Sequence, residues 1–413
     1  MTGLRAQLRG VGPTVRLLCL NQFGINLGFY MLMPYLAGHL TGDLGLAAGV
    51  AGFVLGVRNL CQQGMFLLGG TLADRLGYRS MIIAGCVLRT VAFVLLAAVP
   101  SLPGLLVGMA ATGVAGALFN PAVRAYLAAS SGERRVESFA VFNVFYQAGI
   151  LVGPVVGLAA TALDFTVTCA VAAFVFAVLA LAQLRYLPAH DAGEAEKTSI
   201  ARTWRTVAAN RRFVAFSLVM TVPYVLGFQI YLAFPLLVAA ESAIVGTMLL
   251  FAVTGLVTIA CQVRVTAWCR SRWGPETSME RGILVMAAAF LPPAAAVGLD
   301  AAGAVLVACA VAGAVLLAAA TMIIYPFEMD TVVAMSRGRH VATHYGLYSS
   351  VAGVGIAAGN TIIGTSLDTA GTTVPWLAMA ALGVLGAVGL RTLRRRGLLS
   401  PAAEPAGELV ARA

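Results

Sequence analysis

Residues 69–79 read Gly-Gly-Thr-Leu-Ala-Asp-Arg-Leu-Gly-Tyr-Arg, a glycine-rich turn carrying Asp74, Arg75 and Arg79 between two long apolar runs. The run before it is Ala47–Leu72 and the run after it Met81–Ala98. As helices rising about 1.5 Å per residue, each can cross a hydrocarbon layer about 30 Å thick. Gly69, Gly70 and Gly77 permit close helix approach and a tight reversal. The stretch therefore reads as the end of one membrane span, a short charged loop and the start of the next.

Working outward from this loop, the same pattern covers the chain. Further spans are expected near Leu17–Gly38, Leu105–Ala125, Ala140–Thr161 and Thr166–Leu184, completing a first set of six. A second six is expected near Val214–Val238, Ile244–Trp268, Ile283–Leu299, Ala304–Pro326, Tyr345–Thr365 and Pro375–Leu393. The fold class is thus all-α and integral to the membrane, with twelve transmembrane helices as two six-helix bundles. The expected divisions are a bundle over 1–185, a connector over 186–213, a bundle over 214–393 and a tail over 394–413. The connector is the most polar stretch, with Pro188, Asp191, Glu194, Glu196 and Lys197.

Composition agrees. Of 413 residues, 60% are apolar and 11% charged, whereas soluble domains run nearer a quarter charged. Such a surface would associate in water; its natural solvent is lipid. The net charge of +10 does not indicate nucleic acid, because the basic residues stand singly or in pairs at the ends of apolar runs. The seven cysteines form no CxxC pair, so no disulfide framework and no metal site is expected. Nor does a phosphate-binding glycine–lysine loop, a nucleophile–base pair or any other enzymatic constellation appear. His340 and His344 fall in a basic loop and read as solvated.

Alternate loops sort by charge. One set holds Arg75, Arg79, Arg134, Arg135, Arg202, Arg205, Arg211, Arg212, Arg270, Arg272, Arg281, Arg337 and Arg339, together with both termini. The other set has no lysine or arginine and holds Asp43, Asp164, Glu241, Asp300 and Asp368. The positive-inside rule puts the arginine side in the cytoplasm, so both termini are expected inside. The expected location is the plasma (inner) membrane of a bacterium, the last point resting on the arginine-heavy composition.

The halves also echo each other. Tyr30-Met-Leu-Met-Pro34 pairs with Tyr231-Leu-Ala-Phe-Pro235, and Phe119-Asn120-Pro121 with Ile324-Tyr325-Pro326. Ala73-Asp74-Arg75-Leu76-Gly77 pairs with Arg270-Ser271-Arg272-Trp273-Gly274. A duplicated six-helix unit predicts two bundles rocking about a central cavity, which is alternating access.

On these residues the chain resembles the major facilitator superfamily. The loop at 69–79 is similar to the signature between that family's second and third helices. Gly149, Gly153, Pro154 and Gly157 are similar to its antiporter motif. Leu55-Gly-Val-Arg58-Asn-Leu-Cys-Gln62-Gln63-Gly64 and Phe119-Asn120-Pro121-Ala-Val-Arg124 resemble the MdtH-like branch of drug:proton antiporters. The resemblance implies a secondary transporter, expected to drive efflux of drug-like or secondary-metabolite small molecules with protons. It implies a cytoplasmic gate of Gly70, Asp74, Arg75, Gly77 and Arg79, with Asp74 touching the second half in the outward-open state. The alternative for Asp74 and Arg75 is an ordinary solvated pair. The expected partners are a small-molecule substrate, the bilayer and protons; no cofactor is expected, and the chain is expected to act as a monomer.

Gly149, Gly153 and Gly157 recur every four residues and share one face, where backbones approach closely, expected at the seam between the halves. Arg58 lies near the bilayer midplane, where an uncompensated charge is costly. With Asn59, Gln62 and Gln63 it forms a polar stripe that reads as cavity lining, the rival being an internal structural network. Arg89 lies at similar depth, and Arg124 could snorkel to the surface. Substrate contacts are expected from Asn21, Asn26, Phe29 and Tyr30 with Phe228, Gln229 and Tyr231, core packing being the rival.

Burial raises a carboxyl's proton affinity into a usable range, but the MdtH-like pattern would place acids where this chain has Asn21 and Asn120. An arginine common in that family's fourth helix is replaced by Met109. Glu328, Asp330 and Asp74 are the remaining candidates for proton coupling. The alternative function is a carrier of anionic metabolites, or a uniporter, without proton coupling, favoured by Arg58 and Arg89 without acidic partners.

Overall fold

The computed structural model describes residues 4–45, 47–99, 101–161, 164–189, 199–370 and 373–399. Asp191, Glu194, Glu196 and Lys197 of the expected connector, and the tail from residue 400, lie outside the described residues. Among those described, every regular element is helical. The first half contains α1 (Leu4–Gly10), α2 (Pro13–Tyr30), α3 (Met33–Gly38), α4 (Ala48–Leu76), α5 (Tyr78–Ala98), α6 (Leu102–Ser130), α7 (Arg135–Thr161) and α8 (Phe165–Tyr186). After α9 (Ile200–Ala209) come α10 (Arg211–Gly227), α11 (Ala233–Arg272), α12 (Pro275–Ala288), α13 (Leu291–Gly298), α14 (Gly303–Ser336), α15 (Val341–Ala370) and α16 (Val374–Arg395).

Among the described residues, ten segments are long and apolar enough to cross a membrane, from Tyr78–Ala98 to Val374–Arg395. The two that complete the bundles, α2 and α4, fall short for a legible reason. They carry Asn21, Gln22 and Asn26, and Arg58, Asn59, Gln62 and Gln63, which dilute their hydropathy. Helices that lower their own affinity for lipid place such side chains against protein or a water-filled cavity. Large apolar residues cover the outside instead: Leu60, Val155, Phe174, Val354 and Leu385 are all exposed.

One boundary differs from the sequence expectation. The seventh and eighth spans are expected as separate runs, yet α11 is helical from Ala233 through Arg272. A side chain on Gly246 would meet Val238, whereas a straight helix would carry eight residues about 12 Å along its axis. The chain thus reverses within this helical stretch, and the two spans are Arg211–Val238 and Met248–Arg272. The ninth span, Pro275–Gly298, breaks at Phe290, where Pro292 and Pro293 restart the helix as α13.

In the first bundle α4 and α5 pack on α6, α5 on α8, and α2 on α7; in the second, α11 and α12 pack on α14, and α15 and α16 on α10. The bundles meet where α4 and α6 pack on α15, and α7 on α11 and α14. Small residues allow these approaches, since lipid supplies no hydrophobic drive for helices to associate. A Cβ on Gly69 would run into the Ala117 carbonyl, and one on Gly346 into the Phe66 carbonyl.

The Gly149, Gly153 and Gly157 face requires a correction. It packs on Phe23, Asn26, Leu27, Tyr30 and Met31 of α2, inside the first bundle and not at the seam. The Pro154 carbonyl accepts a hydrogen bond from Tyr35 at 2.7 Å. Spaced every four residues, the glycines take one side of α7 and leave Glu137, Asn143 and Leu151 to face the second bundle.

Candidate functional site

The arginine-rich end of the seam is closed by polar contacts. Asp74, in the last turn of α4, accepts hydrogen bonds from the backbone N–H groups of Ala342 at 3.0 Å and Thr343 at 2.7 Å, and from the Thr343 hydroxyl at 2.6 Å. These are the free donors of the first turn of α15, where helix geometry leaves N–H groups unpaired and partial positive charge accumulates. Tyr78 also donates to Asp74 at 3.3 Å. Gly77, at φ 89°, makes the turn that ends α4, and a Cβ on Gly70 would collide with the Ala342 carbonyl. Arg79 turns away from the seam and donates to the Leu184 carbonyl at 2.6 Å. Arg75 is half-buried beside them.

The repeat-related end of α11 makes a contact of opposite polarity: Arg270 pairs with Glu137 in the first turn of α7. Beside it Arg135 binds Asp330 at 2.6 Å. Asp330 is therefore an ion-pair partner across the seam. A cavity of about 490 Å³ opens here, lined by Gln7, Val11, Arg134, Glu137, Ala267, Arg270 and Ser271. The α9 helix, not expected from sequence, reaches the same end: Trp204 donates from its indole nitrogen to the Thr71 hydroxyl at 2.9 Å. His344 is buried, in contrast to its solvated reading. α15 begins at Val341, so His344 falls in its first turn and packs edge-on against Phe213.

Deeper in the seam sits a cluster of tyrosines around two charges. Glu328, on α14 just past Pro326, is buried; Tyr348 donates to its carboxylate and Tyr224 faces it. Arg124 of the first bundle lies near Glu328 and near Tyr146, Tyr224, Tyr325 and Tyr345, and donates to Ser349 at 3.2 Å. It does not snorkel: the seam offers its guanidinium more partners than its own helix end would. Among the described residues Asp74 and Glu328 are the buried acids. Asn143 donates to Gln262 at 2.7 Å, and Ser350 to the Gln63 carbonyl at 3.1 Å.

Beyond these contacts lies an arginine cluster in the first bundle. Arg58 sits over the Phe29 ring at 4.4 Å and Arg89 over the same ring at 4.9 Å. Phe119 and Phe176 complete an aromatic surround for Arg89, which is buried and donates to the Thr112 carbonyl at 3.0 Å. Gln62 and Arg89 both lie against Gly116. Tyr30 adjoins both arginines and meets Tyr231 of the second bundle hydroxyl to hydroxyl. The expected stripe divides: Gln62 packs on Gly116 of α6 and Arg58 reaches Phe29 of α2, whereas Gln63 packs on Gly353 of α15.

The other expected cavity residues are distributed differently. Asn21 and Asn26 are buried in helix packing, and Asn26 donates to the Tyr146 carbonyl at 2.8 Å. Asn120 returns its amide to the Gly116 carbonyl of its own helix at 2.8 Å. Gln229 is buried and donates to Asn360 at 3.0 Å. Phe228 and Tyr231 are exposed. Sequence reasoning missed Tyr224, Tyr345 and Tyr348 as site residues: they carry no motif, and they stand on α10 and α15 whereas Glu328 stands on α14, so no spacing along the chain links them to it.

This is the architecture of a polytopic membrane protein whose two bundles meet on a polar, aromatic seam. Residues 18–332 match the family model of the Major Facilitator Superfamily, and the chain belongs to that family. It is 51% identical over 400 residues to an uncharacterized MFS-type transporter of Mycobacterium tuberculosis, covering 95% of this chain and 96% of that one. It is 31% identical over 273 residues to the multidrug resistance protein MdtH of Aeromonas hydrophila, covering 65% of this chain and 68% of that one. Among solved structures, a POT family transporter in complex with a thioalcohol-conjugated peptide superposes with a TM-score of 0.72 at 13% identity, covering 92% of this chain and 96% of that one. The human organic anion transporter MFSD10 superposes at 0.66 and 17%, covering 92% and 100%. The protein is a membrane transporter and not an enzyme.

Proposed function

We propose that the protein is a proton-coupled exporter of amphipathic small molecules that works by alternating access, with its arginine-rich end in the cytoplasm. The observation that carries this reading is Glu328. It is a buried carboxyl on the second bundle, held by Tyr348 and adjacent to Arg124 of the first. Its charge is felt across the seam. When ionised it matches Arg124 and favours the closed cytoplasmic end; when protonated that attraction is lost and the bundles can part there. Asp74 and the N-terminus of α15 form the cytoplasmic gate in this scheme, assisted by the Arg135–Asp330 and Arg270–Glu137 pairs. The polar character of the positive loops supports the orientation. Export is supported by likeness to MdtH, whose name records multidrug resistance.

The test is transport in liposomes loaded with a pH-sensitive dye, using a panel of anionic, neutral and cationic fluorescent solutes. Substrate-dependent proton movement is expected in the native protein. Glu328→Gln is expected to abolish it while leaving solute exchange at zero gradient intact, and Asp330→Asn to slow it no more than severalfold. Full gradient-driven transport by Glu328→Gln would remove the proton role from this carboxyl.

A further inference from the structure

We propose that Arg58 and Arg89, clasping Phe29, form the binding subsite for the acidic group of an amphipathic organic anion, so that the transported molecule is a monoanion with an apolar body. The substrate class stated here rests on the transporter reading above, but not on proton coupling or direction.

Two guanidinium groups share one phenyl ring, and apart from each other the described groups around them are neutral. The groups that act on Arg58 electrostatically are Tyr30 and Tyr146, and those that act on Arg89 are Arg58, Cys86 and Tyr30. No carboxylate among the described residues neutralises either. Phe29, Phe119 and Phe176 offer ring faces, and Asn59 and the Thr112 carbonyl accept one hydrogen bond each. Those contacts hold the guanidinium groups in place while leaving their charge uncompensated. Both Nε–H donors are buried without a hydrogen-bond partner, although Arg89 is only 2% exposed. Buried donors left unmade are costly, and a helix with an uncompensated charge in the membrane marks a pathway or a ligand.

The contrast with the rest of the seam sharpens the assignment. Arg135 and Arg270 have carboxylate partners, and Arg124 lies near Glu328. Among the described residues of the seam, the pair around Phe29 is left with a double positive charge. Arg58 is half-buried and Arg89 fully so, which fits a direct contact by Arg58 and a second charge behind it. Gln62, against Gly116 beside Arg89, adds an amide. Phe29 itself provides the flat surface for an apolar body. The cluster reaches the second bundle through Tyr30 and Tyr231, so a bound anion would touch the contact that must separate as the bundles rock.

Binding to purified protein in lipid nanodiscs tests this without any gradient. The probes are dansylglycine and naphthalenesulfonate, each against its neutral amide or ester, with ethidium as the cation. A charged contact of this kind is worth about tenfold or more in affinity. At least one anion is therefore expected to bind about tenfold more tightly than its neutral counterpart. Arg58→Gln is expected to erase that preference, and Arg58→Lys to retain part of it. Should Arg58→Gln fail to fold, Arg58→Lys and the native charge preference still decide. Equal binding of all anions and their neutral counterparts, or preference for ethidium, overturns the subsite, as does an unchanged preference in folded Arg58→Gln. Proton flux can fail independently of each of these results.

Discussion

The carboxylate of Asp74 caps the helix that begins at Val341, binding the Thr343 N–H at 2.7 Å across a separation of 269 residues. Both partners lie at the end of a helix, one half-turn from the loops that the sequence marks as charged. Few contacts join the bundles so directly. Two backbone donors and a hydroxyl converge on one buried anion, and the positive end of the helix adds to their pull.

Replacing Asp74 by Asn should therefore open this end. Hydrogen bonds to a charged group contribute about 1.5–3 kcal/mol, enough to shift an opening equilibrium by roughly ten- to a hundredfold. Cysteines placed at Thr343 and Thr71 should label faster from the arginine-rich side, and transport should fall. Unchanged labelling would show that Asp74 does not hold the closure.

Gly70 and Gly157 should differ although both are tightly packed. A Cβ on Gly70 enters the Ala342 carbonyl of the second bundle, whereas one on Gly157 enters the Met31 carbonyl of the first. Overpacking costs about 1–3 kcal/mol. Gly70→Ala should increase opening with little effect on thermal unfolding; Gly157→Ala should lower the unfolding temperature. Identical behaviour would place both glycines at one interface.

The Arg135–Asp330 pair is partly exposed, at 36% and 22% for the two side chains. Such pairs contribute about 0.2–1 kcal/mol. Asp330→Asn should therefore slow transport only severalfold, and the exchange Arg135→Asp with Asp330→Arg should recover most of it. Loss of transport in the exchanged protein would mean that the residues act separately.

Trp204→Phe removes the indole donor to Thr71 while preserving the ring. The lost hydrogen bond is worth about 0.5–1.5 kcal/mol. Amide hydrogen exchange along α9 should then accelerate, with the unfolding temperature of the bundles nearly unchanged. An unchanged rate would leave the Trp204–Thr71 bond with no role in holding α9 to α4.

Much of this was legible in the primary structure. Apolar runs of span length, arginines confined to alternate loops and the repeat about the connector specify a helical membrane protein of two related halves. The physical cause is local, since insertion into lipid depends on side chains along one helix at a time. Arg58, Arg89, Asp74 and Glu328 also stood out, because a charge within an apolar run is conspicuous by itself.

Their partners were not legible. Nothing in the chain says that the Gly149, Gly153 and Gly157 face packs on α2, that Arg124 enters a tyrosine cluster, or that His344 is buried on Phe213. Such pairings depend on helix rotation and on which bundles meet, and most of them join residues a hundred or more positions apart. The sequence by itself determined the spans, their duplicated order and which residues carry charge into the membrane. Only the tertiary structure decided which of those charges are matched, because matching a charge takes a second helix at hydrogen-bond distance. That contact left Asp74 capped, Glu328 bound by tyrosine, and Arg58 and Arg89 without a carboxylate.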